Sequence, residues 1–228
     1  MSDRFDDSTD RHRRGDTAIP DPVATGATIL VTGMNDPVES DVCLHILSRL
    51  SRATDFALVV TTTESVEETA EAYHGLDSEA DQPSLGVVDT ASKGQSMAIP
   101  YGDTPVVYTP SPGDIERLIV ALSQLSETPA PSSGNRHLVV RSLTPVLKAT
   151  DTSLVCTALE RIAGLPSDAG LCLLGIDFTA HDDETRAALT RHVDGILWVT
   201  ENTDGELEFE YRPTKGRYNS SVSADLGE

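Results

Sequence analysis

Thr28-Ile29-Leu30-Val31-Thr32-Gly33-Met34-Asn35-Asp36-Pro37-Val38-Glu39-Ser40 is the stretch on which the reading of the fold turns. Ile29 to Val31 is an apolar, largely β-branched run, as in a buried strand. Gly33 permits a sharp turn. Beyond Val38, apolar residues recur at helical spacing: Val42, Leu44, Ile46, Leu47 and Leu50. The stretch predicts a strand, a tight loop and the start of a helix.

A phosphate-binding loop sits in that setting, with the pattern G-x-x-x-x-G-K-[ST]. Laid on Gly33, the spacing holds, but Val38 falls at the second glycine, Glu39 at the lysine and Ser40 at the hydroxyl. The second glycine lets successive backbone N–H groups curl around phosphate oxygens, and a β-branched residue resists that curl. Glu39 sets a negative charge where an anion would lie, a repulsion of several kcal/mol at close range in a partly shielded site. Ser40 keeps a hydroxyl suited to Mg²⁺ but has no phosphate to bridge to. Two readings stand: a nucleotide-binding fold whose phosphate site is lost, or any strand-to-helix turn of an α/β protein.

With 228 residues, one α/β domain with short tails is expected. The formal net charge is −20, and lysine occurs only at Lys93, Lys148 and Lys215. The acid is spread along the chain. Such a protein repels itself at low salt, while at molar salt the Debye length falls to about 3 Å and the repulsion fades. The composition therefore points to a cytoplasm of very high ionic strength, as in halophilic archaea; an ordinary acidic protein is the plainer alternative. The same charge weighs against nucleic acid, which needs clustered Lys and Arg. The only basic cluster, Arg11 to Arg14, lies among Asp3, Asp6, Asp7, Asp10 and Asp16. Cys43, Cys156 and Cys172 stand in apolar contexts without a CxxC and read as small buried hydrophobes in a reducing compartment. With neither a signal peptide nor an apolar run near 20 residues, the expectation is a cytoplasmic chain with no membrane association.

Residues 1–24 are polar and charged and read as a disordered leader; residues 213–228 read as a flexible tail. Between them, strands are expected at 56–62, 85–89, 106–108, 137–140, 171–176, 195–199 and 207–211. Helices are expected from the capping box at Ser65 to about Tyr73, from Ser111 to Ser126, from Thr152 to Ala163 and from Asp182 to His192, with a turn or helical piece at 143–147. Residues 91–103 read as a flexible section. Strands alternating with helices imply a mostly parallel sheet covered on both faces, and the last two strands an antiparallel edge hairpin.

Taken in order, these landmarks resemble the RecA/KaiC-like ATPase fold, and specifically haloarchaeal proteins with a degenerate KaiC-like domain. The resemblance covers residues 25–212 and implies a RecA-like, P-loop-type three-layer sandwich. In that family the second strand ends in a pair of glutamates that activate the attacking water; Thr63 and Glu64 match them, so one glutamate is missing. A later apolar strand ends in a magnesium-associated aspartate followed by Ser-Leu-Thr; here Val140 is followed by Arg141-Ser142-Leu143-Thr144. Val193-Asp194-Gly195-Ile196-Leu197-Trp198 and 207–211 resemble the closing strands. The departures share one direction, and the resemblance places Glu39 and Arg141 at one pocket edge, where an internal ion pair between them would replace lysine, phosphate, magnesium and aspartate.

Other clusters invite weaker readings. Asp177, Phe178, His181, Asp182 and Asp183 combine acids and a histidine at a strand end, either a metal site or a helix cap with solvated acids. Asp89, Thr90, Ser92 and Lys93 follow the third strand, where α/β folds bind ligands, but also suit a polar loop. The expectation is a non-catalytic RecA/KaiC-like domain, a regulatory or signalling module that binds an unidentified protein, with no catalytic residue, metal or cofactor. Gly33, Ser40 and Glu64 are what remains of a nucleotide site. The alternatives are a divergent ATPase binding ATP and Mg²⁺ through Ser40 and Glu64, or a ring-forming structural subunit, that is, a homo-oligomer.

Overall fold

The computed structural model describes residues 19–21, 23, 26–33, 41–76, 82–92, 100–127, 134–167, 169–203 and 207–214. In chain order the elements are β1 (Thr28–Gly33), α1 (Val42–Leu50), β2 (Phe56–Thr61), α2 (Val66–His74), β3 (Ser84–Asp89), β4 (Val106–Tyr108) and α3 (Ile115–Ser126). There follow β5 (Arg136–Val140), α4 (Thr144–Ala149), α5 (Thr152–Ile162), β6 (Cys172–Gly175), α6 (Asp183–Thr190), β7 (Gly195–Glu201) and β8 (Leu207–Pro213). The sheet runs β4-β3-β2-β5-β6-β1-β7-β8. Every pairing is parallel except the hairpin β7–β8, so the expected α/β architecture with one antiparallel edge is the one observed.

Alternate residues of each strand feed opposite cores, as the pleat requires. Ile29, Val31, Val59, Val139 and Leu173 meet Val42, Leu44 and Leu47 of α1 and Val66 and Tyr73 of α2. Leu30, Leu58, Val140 and Leu174 meet Leu118 and Leu122 of α3, Val155 and Leu159 of α5 and Leu189 of α6. Central strands buried on both faces explain why their sequences read as continuous apolar runs.

The helix starts follow local chemistry. Ser65 and Glu68 form the capping box of α2: the Ser65 hydroxyl accepts from the Glu68 N–H at 3.2 Å and the Glu68 carboxylate accepts from the Ser65 N–H at 2.8 Å. Asp182 caps α6, accepting from the Thr185 N–H at 2.8 Å. Ile19 and Val23, assigned to the leader by sequence, pack against the α1/α2 core, with Val23 fully buried. At the free edge, β8 turns Leu207, Phe209 and Tyr211 inward and leaves Glu208, Glu210 and Arg212 exposed, a charged rim that discourages strand addition. Among the described residues no helix is long and apolar enough to cross a membrane.

At the amino ends of β2 and β5, Asp55 and His137 form a sealed pair. His137 Nδ1 accepts from the Leu171 N–H at 2.9 Å, which leaves the proton on Nε2, 3.1 Å from Asp55 Oδ2. Asp55 also accepts from the Arg52 and Asn135 N–H groups at 2.8 and 2.7 Å.

Candidate functional site

The parallel strands β1, β2, β3 and β5 all end at the same rim, and open α/β sheets bind ligands there. Arg141, the first residue past β5, lies at the centre of this rim. Its N–H donates to the Val60 carbonyl at 3.0 Å, which carries β5's pairing one residue beyond the strand. Its side chain is only 2% exposed. Nη2 donates to Asp41 Oδ1, and Nη1 donates to Glu64 Oε2 and, at 3.0 Å, to Thr69 Oγ1.

Each partner is held in place by its own segment. Asp41 immediately precedes α1 and has φ 49°, an uncommon conformation for a residue with a side chain, and its placement aims the carboxylate at Arg141. Glu64 sits in the β2–α2 connection, whose shape is set by the Thr61 hydroxyl donating to the Glu64 carbonyl at 2.6 Å. Thr69 lies on the buried face of α2. One guanidinium thus binds the entry of α1, the β2–α2 loop and α2 to the end of β5. A buried cation needs this pairing, since an isolated charge in the interior costs several kcal/mol or more. The side chains of Asp41 and Glu64 are each 33% exposed, so the anions reach solvent while the cation does not. With two carboxylates to one guanidinium, the cluster is net negative.

Of the three residues read from sequence as a vestigial nucleotide site, Glu64 belongs to this cluster. Gly33 ends β1 beside Val199 of β7, and a Cβ there would meet the Val199 carbonyl oxygen at 2.5 Å. Close approach of two backbones is therefore a demand on Gly33 in addition to any turn that follows it. Ser40 and Glu39 lie outside the described residues, and with them the expected Glu39–Arg141 pair; the partners Arg141 has among the described residues are Asp41, Glu64 and Thr69. Thr63 is exposed. Sequence reasoning missed Asp41 and Thr69. The available signal was that Asp41 follows the same loop by one residue, but in so acidic a chain no single aspartate stands out.

Beside the cluster, Asp89 at the end of β3 is fully buried and accepts from the Val66 N–H at 3.1 Å, the Ala91 and Ser92 N–H groups at 2.9 and 2.8 Å, and the Ser92 hydroxyl at 2.7 Å. It secures the start of α2 and the β3 turn, and its lone pairs are taken up in doing so. Farther along the rim, the Thr144 hydroxyl oxygen accepts from the Asp177 N–H at 3.0 Å and lies 3.3 Å from His181 Nε2. Burial, with Lys148 nearby, pushes the His181 pKa down. Burial works to raise the Asp177 pKa, but hydrogen bonds from Thr179 and Ala180 outweigh it and hold the carboxyl below its usual range. Asp177 and Asp182 serve as caps, and among the described residues no group of three or more His, Cys, Asp or Glu is arranged to hold a metal.

Two solved structures are similar to this chain. The flagellar accessory protein FlaH from Methanocaldococcus jannaschii is similar over 85% of this chain and 80% of its own, at 12% identity and a TM-score of 0.46. The uncharacterized protein PH0321 from Pyrococcus horikoshii, solved with an unknown peptide, is similar over 83% of this chain and 84% of its own, at 12% identity and a TM-score of 0.51. The second likeness is one of fold, and the fold is RecA-like. No curated protein sequence matches the chain. Residues 26–199, well over half of the sequence, match a family of unknown function, DUF7504, and the chain belongs to that family.

Proposed function

We propose that this domain has lost nucleotide hydrolysis and works as a binding module for another protein, in a regulatory or signalling role. One observation carries the reading: the Arg141 guanidinium holds both Asp41 and Glu64 at the rim. By the resemblance, Arg141 stands where a magnesium-associated aspartate would be, and Glu64 where a glutamate would activate water. A cation fixed at the first position leaves no ligand for Mg²⁺, and a glutamate whose carboxylate oxygen is held by the guanidinium is not free to orient water. The net negative cluster also opposes a polyphosphate. A rim so fastened needs no nucleotide to order the start of α1, and it presents partly exposed carboxylates to a partner. The composition agrees with work in molar salt, where only a short-range partner surface is effective.

The test is calorimetric titration of the protein with ATP and Mg²⁺ in molar KCl. The expected result is no binding at millimolar nucleotide. Micromolar binding would overturn the proposal, and turnover abolished by Glu64→Ala would then establish the ATPase reading in its place.

A further inference from the structure

Thr32 of β1 and Trp198 of β7 are register partners on adjacent parallel strands. Such partners project to the same face of a sheet. Here it is the α3/α5 face, because the preceding pair on that face, Leu30 and Ile196, packs in that core. Each side chain carries a polar atom sealed from solvent with no hydrogen-bond partner among the described residues: Oγ1 of the fully buried Thr32, and Nε1 of Trp198. An unmatched hydroxyl and an unmatched indole N–H therefore belong to neighbouring side chains on one face, on strands about 4.8 Å apart. Buried polar groups in folded proteins are nearly always satisfied, by ordered water where protein atoms do not reach.

The indole packs between two neighbours. Phe178 meets it edge-on at 5.7 Å, and the Arg212 guanidinium lies 5.2 Å from the ring centroid, itself held by Glu210. On the other side of Thr32 stand Leu174 of β6 and Ile176, the first residue past it, both fully buried. With apolar side chains on the Thr32 side, a neutral partner suits these two atoms better than an ion.

We propose that one ordered water binds between Thr32 Oγ1 and Trp198 Nε1, accepting from the indole N–H and hydrogen-bonding the threonine hydroxyl. The site fastens the last residues of β1 to the β7–β8 hairpin. It is independent of whether the rim binds nucleotide or protein.

A crystal structure of the full chain at a resolution that shows ordered water tests this directly. Density for one water within hydrogen-bond distance of both atoms is the expected result. A dry gap, or a water on one atom only, overturns the proposal. Trp198 is the only tryptophan, so its emission gives a second readout without crystals. Thr32→Val, which removes the hydroxyl, should shift the emission to shorter wavelength, and Thr32→Ser, which keeps it, should leave the wild-type spectrum. Identical spectra for the three proteins would count against the water.

Discussion

Arg141 and His137 stand at opposite ends of β5, and both are buried charged or titratable groups paired with carboxylates. Their surroundings differ in one respect that separates a fastener from a site. The His137 and Asp55 side chains are 2% and 3% exposed. Both imidazole nitrogens are used, and Asp55 accepts from two backbone N–H groups besides. Nothing is left for a ligand to address. Around Arg141 the cation is equally buried, but its two anions are open to solvent at the rim where the parallel strands end. The amino-terminal pair closes the sheet; the carboxy-terminal cluster ties α1 and α2 to β5 and still faces outward.

If that contrast is right, the sealed pair is the more costly to break. Asp55→Ala leaves the Arg52 and Asn135 N–H groups and the His137 imidazole without their acceptor, and should lower stability by ~3–5 kcal/mol, since each buried donor left unmet costs about 1–3 kcal/mol. Urea denaturation in molar KCl would measure it. A loss below that of the Arg141 variant described next would reverse the ranking of the two ends.

The pair should also make the protein acid-sensitive. Burial pushes the His137 pKa below 6.5, and the attraction of Asp55 does not offset it. Below pH 6.5 the unfolded chain then binds a proton that the folded chain refuses, so this contribution is complete above 6.5 and is lost as pH falls from there toward the folded pKa. Burial of Asp55 works to raise its pKa, but hydrogen bonds from Asn135, His137 and Arg52 prevail and hold it below 3.8; its contribution is lost only at still lower pH. Denaturation midpoints should decline from pH 7 to pH 5, and His137→Gln should flatten that decline. An unchanged slope in the variant would place the acid sensitivity elsewhere.

At the other end, Arg141→Met removes the cation and fills much of its volume. Asp41 and Glu64 are left facing each other but can turn to water, so the expected loss is smaller, ~1–3 kcal/mol. Its salt dependence is the sharper mark. The two carboxylates repel without a cation between them, and the variant should lose more than the native protein as KCl is lowered. Denaturation of both at two salt concentrations at which the native protein stays folded would show parallel losses if Arg141 were a mere space-filler.

Much of the fold was legible because local and global signals agreed. The capping box at Ser65 and Glu68, the aspartate before α6, and the apolar runs of β1, β2 and β5 each specify an element without outside help. Val23 was not legible: a lone valine between prolines and alanines gives no period, and only the tertiary core buries it. In the site, Arg141 and Glu64 could be picked out because they sit at the ends of recognisable strands. Asp41 could not, since its role depends on a backbone angle at one residue, φ 49°, that a sequence pattern does not encode. Thr69 reads as an ordinary helix residue until the guanidinium is placed against it.

The smallest change bears most closely on function. Glu64→Gln keeps an oxygen that accepts from Arg141 and removes the charge of a side chain that is one-third exposed, so stability should fall by only ~0.5–1 kcal/mol. If Glu64 serves as a partner of Arg141, the variant stays folded, and titration with Mg²⁺ and ATP remains flat, as for the native chain. If Glu64 is a water-activating base, the variant traps bound nucleotide while turnover disappears. A measured heat of nucleotide binding in Glu64→Gln would therefore move the rim from a closed fastening to a working site, with no change in the ranking of the two ends by stability.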